Sequence, residues 1–229
     1  MKFLRFSLII FITLTSTVKA DFNKKLIDQL EDGGKLIFIR HAYAPGSGDP
    51  DNFNLNDCST QRNLSNEGRN QAKNIGEFLK KNKIKIEKVI SSEWCRCKDT
   101  SSLAFGSFET KNFLNSFYSS KFTKNKKSQM LDLREYIKDF QSKKNLVLVT
   151  HYVVISEALN YAPSSGEIVI SDKKFNIIGT VKTNYWNIMS SKRAMKQAQK
   201  QAYAKHRSNI TNNRFNSRKR NINKNKKKS

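Results

Sequence analysis

Two arginines and two histidines are the residues best placed to do chemistry. Arg40 and His41 follow directly on a run of four apolar residues, Leu36 to Ile39, in KLIFIRHAYAP. Arg96 follows a second apolar stretch, in VISSEWCRCKDT, and His151 follows a third, in LVLVTHYV. A pair of arginines can grip a phosphate with charged, bidentate hydrogen bonds. A neutral imidazole between them can attack phosphorus, and a second histidine can bind the oxygens as charge shifts in the transition state. Taken singly, each residue has a plainer role: a histidine at a strand end as a satisfied polar residue, Arg40 as a surface salt-bridge partner. The joint pattern favours the anion pocket. Residues 21 to 191 contain only His41 and His151, since His206 lies near the C-terminus.

These residues need elements that bring them together. The runs 35–40 and 146–150 are continuously apolar rather than alternating, which predicts parallel strands buried on both faces. A short strand is expected at 88–91, a further one near Phe113, and others at 167–170 and 175–181. Helices are expected where Leu26, Ile27 and Leu30 share a face with Phe22 before Gly33 and Gly34, and where Ala72, Ile75 and Leu79 share one after Ser65. Ser65 is a natural N-cap, and Glu67 suits the first turn. Further helices are expected over 96–103, 130–140 and 152–159. The alternation predicts an α/β protein, a three-layer α/β/α domain around a mostly parallel sheet. In such sheets ligands bind beyond the carboxyl ends of the strands, where the arginines and histidines fall. Residues 42–63, rich in Pro, Gly, Asp and Asn, read as a long functional loop.

The chain has 229 residues and a net charge of +24. Residues 1–20 read as a secretory signal: Lys2 and Arg5, then an apolar stretch from Phe6 to Leu14, then Val18-Lys19-Ala20. The alternative is an uncleaved N-terminal anchor. Cleavage would leave residues 21–190 as an exported domain, periplasmic or secreted, with no transmembrane segment. Residues 191–229 form a basic tail, with fourteen Lys or Arg and no Asp or Glu after position 191. Its first part is expected to be helical and its second disordered. Non-specific contact with polyanions is one role for it. The plainer reading, a solvated extension, is preferred. Few aromatics are available for stacking, so no specific nucleic-acid partner is expected. Export permits disulfides. By separation Cys58 can pair with Cys95 or Cys97, and three free thiols are the equal alternative. The cysteines lack the ligand count for a metal site.

The segments IFIRHA, RNLSNEGRNQAKNIGEFLKK, VISSEWCRCKDTSSLAF and LVLVTH, in this order, resemble the histidine phosphatase superfamily in its phosphoglycerate mutase-like branch. The likeness covers roughly residues 35 to 182 and is strongest to small exported bacterial members. These carry Asp-Cys before a TQRNLS segment and Cys-Arg after the second strand, as Asp57-Cys58 and Cys95-Arg96 do here. The resemblance implies phosphomonoester hydrolysis, with His41 as the nucleophile that becomes phosphohistidine. Arg40, Arg96 and His151 would clamp the phosphoryl oxygens, and Arg62 is a further candidate phosphate contact. It implies no cofactor and no metal, and it favours a Cys58–Cys95 bridge. The substrate would be a phosphorylated small molecule or envelope component.

The chain departs from the family pattern at Ala42 and Tyr152, where relatives carry glycine or, at the second place, aspartate. No motif therefore names the acid that protonates the leaving group. Asp57, Glu109 and Glu167 are the candidates by position. Glu93 is near Arg96 in sequence, with a lysine as its alternative partner. Lacking a good acid, the site would favour easy leaving groups such as phosphohistidine, phosphoanhydrides or aryl esters. Mutase activity is not expected. The rival functions are a non-catalytic phosphate-binding module and a polyanion-binding protein acting through its tail.

Overall fold

The computed structural model describes residues 24–182. The expected signal, the cleavage site, Phe22 and the basic tail lie outside the described residues. Strands β1 (Leu36–Arg40), β2 (Ile86–Ser91), β3 (Glu109–Thr110), β4 (Asn145–Thr150), β5 (Ile168–Ser171) and β6 (Ile177–Val181) form one sheet in the order β3-β2-β4-β1-β5-β6. Neighbours among β1 to β4 run parallel, and β5 and β6 are added antiparallel at one side. The α/β class and the mostly parallel sheet agree with the sequence pattern. Phe113 is not in a strand: it lies in a 3-10 turn, Asn112–Leu114, just after β3. Its burial answers the apolar signal without strand pairing.

The helices are α1 (residues 24–32), α2 (Asn66–Lys81), α3 (Cys95–Phe105), α4 (Ser120–Thr123), α5 (Lys126–Asp139) and α6 (Tyr152–Leu159). Side chains alternate across a strand. Leu36, Phe38, Leu146 and Leu148 thus pack against Leu133 and Ile137 of α5 and Val154 and Ile155 of α6. Ile37, Ile39, Val147 and Val149 face the other layer, where α3 lies against β2 and β4 and pairs with α2. All eight of these strand residues are fully buried, which is why the runs are continuously apolar.

Helix α2 begins as expected, with the Ser65 side chain accepting from Gly68 N–H. Two glycines set how closely it packs. A Cβ on Gly68 would lie 1.9 Å from the Tyr43 carbonyl oxygen, and one on Gly76 would lie 2.0 Å from that of Ala104. Gly68 thereby seats α2 against the chain that has just left β1. Among the described residues no helix is long and apolar enough to cross a membrane.

Candidate active site

Strand register creates the site. β1 and β4 are parallel neighbours with Arg40 opposite Thr150, so the next residues, His41 and His151, leave the sheet side by side. His41 N–H donates to the Thr150 carbonyl at 2.9 Å, and the two imidazoles meet edge to face, 5.5 Å between centroids. β2 lies on the other side of β4, and Ser92 N–H donates to Val149 O. α3 then starts at once and sets Arg96 in its first turn. Arg40, His41, Arg96 and His151 line one cavity of about 340 Å³, together with Asp49, Arg62, Trp94, Tyr118, Phe122 and Tyr152.

His41 is held in one tautomer. Its Nδ1 lies 2.8 Å from the Ala42 carbonyl, which can only accept, so Nδ1 carries the proton and Nε2 keeps its lone pair. Burial and then the charge of Arg96 hold its pKa well below the ordinary histidine value. The ring is therefore neutral near pH 7. Ala42 N–H donates to Thr100 Oγ1, which in turn donates to the Arg96 carbonyl, tying the strand exit to α3. Ala42 keeps φ outside the left-handed region, so its methyl costs nothing in backbone strain where relatives carry glycine.

His151 is oriented through a chain of hydrogen bonds. Asn115 Oδ1 accepts from Glu93 N–H and from the Ser92 hydroxyl, while Asn115 Nδ2 donates to the Glu93 carboxylate. With its proton spent on Asn115, Ser92 Oγ accepts from His151 Nε2 at 2.9 Å. Nδ1 is then the lone-pair nitrogen, 3.5 Å from Arg96 Nη2. Burial, followed by the charges of Arg96 and His41, also lowers the His151 pKa well below its ordinary value. Glu93 pairs with Asn115 rather than a lysine. Cys97, the free thiol, is buried 3.5 Å from His151 Nε2, and burial pushes its pKa up to about 12, which keeps it a thiol.

The arginines retain unused donors. Arg40 Nη1 donates to the Pro163 carbonyl and Arg96 uses both Nη atoms, yet Nε of each is buried without a hydrogen-bond partner. Such orphaned donors are costly unless something is bound to them. α6 begins beside them, and a helix N-terminus adds favourable potential for an anion.

None of the three carboxylates expected from sequence position lines the cavity. Asp57 is exposed and caps the turn Cys58–Thr60 by accepting from Ser59 N–H and Ser59 Oγ–H. Glu109 sits on the edge strand β3, paired with Lys88 and Lys111 at the surface. Glu167 is buried, but its oxygens accept from Tyr161 OH and Ser164 N–H. It braces the loop whose Pro163 carbonyl holds Arg40. Arg62 does line the cavity, although Nε and Nη1 are committed to the Gly48 and Ala44 carbonyls.

The carboxylate that does face the cavity is Asp49. It binds Arg96 through both oxygens, at 2.6 and 3.2 Å, and accepts from Trp94 Nε1 and from Arg62 N–H. Burial acts to raise its pKa, but the hydrogen bond and charge of Arg96 outweigh this and leave it below the ordinary carboxylate value. Nothing in the sequence around GSGDPDN separates Asp49 from its neighbour Asp51, apart from membership of the long loop. That loop is fastened to α3: Cys58 and Cys95 are joined as a disulfide with Cα atoms 5.7 Å apart, and Gln61 Oε1 accepts from Cys95 N–H. Gln61, Ser92, Thr100 and Asn115 were not distinguishable in sequence for the same reason, being ordinary polar residues until packed.

Among the described residues no group of three or more His, Cys, Asp or Glu could hold a metal ion. No family model matches the sequence, and neither does any curated protein. Solved structures do resemble the chain. The protein histidine phosphatase SixA complexed with tungstate is 15% identical, over 66% of this chain and 99% of that one, with a TM-score of 0.48. A phosphoserine phosphatase mutant from Entamoeba histolytica in complex with phosphoserine is 17% identical over 65% and 97%, with a TM-score of 0.45. The phosphoglycerate mutase from Thermus thermophilus is 14% identical over 65% and 98%, also at 0.45.

Proposed function

We propose that the protein is a phosphatase of the histidine phosphatase type, hydrolysing a phosphomonoester or related phosphate through phosphohistidine at His41. The observation that carries this is the tautomer of His41: a neutral, buried ring whose Nε2 lone pair is free inside a cavity lined by Arg40, Arg96 and His151. In the first half-reaction Nε2 attacks phosphorus, while Nδ1–H stays on the Ala42 carbonyl and steadies the charge gained by the ring. Arg40 and Arg96 offer their unpartnered Nε–H groups to the phosphoryl oxygens. An anion beside His151 Nδ1 favours the protonated imidazole, which then donates to an oxygen. Water completes the second half-reaction. Positive side chains supply the charge stabilisation, so we infer that turnover needs no metal.

The substrate's organic group has an aromatic wall to rest on. Trp94 stacks on Phe53 at 5.0 Å and meets Phe122 edge-on at 5.6 Å, with Tyr118 and Tyr152 at the rim. This suits a phosphorylated small molecule. We further propose that the protein is exported, with an envelope component as one source of substrate.

The test uses the full-length chain with a chromogenic aryl phosphate and EDTA, beside His41→Ala. Phosphate release in EDTA that falls by about a thousandfold or more in His41→Ala is the expected result. A folded protein that binds vanadate yet releases no phosphate would instead be a phosphate-binding module, and the proposal would be wrong.

A further inference from the structure

Among the described residues, Asp49 is the only acidic one lining the cavity. It sits one guanidinium away from the reacting centre: Arg96 Nη2 lies 3.2 Å from Asp49 Oδ2 and 3.5 Å from His151 Nδ1. The carboxylate therefore occupies donors that a phosphoryl group needs. We propose that Asp49 surrenders Arg96 to the incoming phosphoryl group and then serves as the acid that protonates the leaving oxygen, a role that rests on the phosphatase reading above.

The physical logic is an exchange of partners. At rest Asp49 is held ionised by Arg96, with support from Trp94 Nε1 and Arg62 N–H. A phosphoryl dianion competes for the same guanidinium with more charge and more oxygens. Once Arg96 turns to it, Asp49 loses its strongest stabilising contact, keeps the burial that opposes ionisation, and gains an anion as neighbour. It then takes a proton from solvent. In the first half-reaction the His41 Nε2–P bond forms and the P–O bond breaks. The electron pair goes to the leaving oxygen, which takes the Asp49 proton and departs as the alcohol. In the second, water attacks phosphorus and gives a proton to the Asp49 carboxylate, and the P–N electron pair returns to Nε2. Asp49 ends protonated and phosphate is released, so both steps balance.

This makes poor leaving groups acceptable substrates, contrary to the expectation drawn from the missing motif. The experiment compares the full-length wild type, Asp49→Asn and His41→Ala on a series of phosphates, from nitrophenyl through phenyl to alkyl esters. Asp49→Asn should cost least in kcat/KM on nitrophenyl phosphate, whose leaving oxygen needs an acid least. On alkyl phosphates it should cost on the order of 10²- to 10⁴-fold, the usual worth of general acid catalysis. Because a competing carboxylate is gone, Asp49→Asn should also bind vanadate more tightly than wild type, which shows that the variant is folded. An equal loss across the series, or none at all, sinks the Asp49 proposal while leaving the phosphatase intact. Unchanged vanadate affinity in a folded variant sinks the exchange of Arg96. Turnover that survives in His41→Ala removes the phosphatase reading and this one with it.

Discussion

Breaking the Cys58–Cys95 bridge tests how the site is held together. The two cysteines are 37 residues apart and join the long loop to the first turn of α3, next to Arg96. In the chain-entropy account, closing a loop of this size stabilises the fold by about 4 kcal/mol. That is a large share of the roughly 5–15 kcal/mol by which domains are stable. For a domain of this size it corresponds to a fall in Tm on the order of 10 °C. The assay is thermal unfolding of the full-length chain with and without dithiothreitol, beside Cys58→Ser. Thiol titration in denaturant should find one thiol per chain before reduction, Cys97, and three after. Function should fall with stability. Asp49 and Arg62 ride on the loop, and the bridge is its covalent tie to α3, beside non-covalent contacts such as Gln61 to Cys95, Asp49 to Arg96 and Ala42 to Thr100. Reduced protein held well below its melting point should therefore bind vanadate more weakly. Coincident melts with and without reductant, together with a count of three thiols from the start, would refute the reasoning.

Gly68→Ala should gain up to about 1 kcal/mol in helix propensity, yet its Cβ would stand 1.9 Å from the Tyr43 carbonyl oxygen. Overpacking of about 1–3 kcal/mol should win. The displaced segment adjoins His41, so kcat should fall as well as the urea midpoint; a more stable variant with unchanged kcat would show that α2 does not position His41. Low pH should destabilise the protein through its two buried neutral histidines. Their folded pKa values lie below the unfolded value, so the stability they contribute is complete above about pH 6.5 and is lost as pH falls below it, where the unfolded chain takes up protons and the native state does not. For each histidine that stays neutral in the native state the slope approaches a limit of about 1.4 kcal/mol per pH unit as pH falls below the unfolded value. Urea unfolding between about pH 7 and pH 5 measures it, and His41→Gln should remove about half of the histidine contribution. An unchanged slope in that variant would mean that His41 is already protonated in the native state.

Legibility in the sequence followed the range of the forces involved. Runs such as Leu36–Ile39 and Leu146–Val149 announce strands buried on both faces, because every side chain must be apolar there. The histidine one residue beyond each strand, His41 or His151, then sits at the carboxyl end of the sheet. Ser65 announces a helix start because its cap is made within three residues. These local constraints leave their mark in the order of residues, and so did the α/β class and the four residues at the strand ends. The partners of those residues were set otherwise. That His41 and His151 touch depends on β1 and β4 being neighbours in one register, a choice made by the whole sheet. Which carboxylate faces the cavity depends on the path of the 42–63 loop, fastened by a disulfide and by Gln61. Asp57 and Asp49 are the same residue type in the same loop, yet one caps an exposed turn and the other meets Arg96. A carboxylate's chemistry comes from its neighbours and its burial, and for Asp49 those neighbours, Trp94 and Arg96, come from a segment more than forty residues away that only tertiary packing brings near.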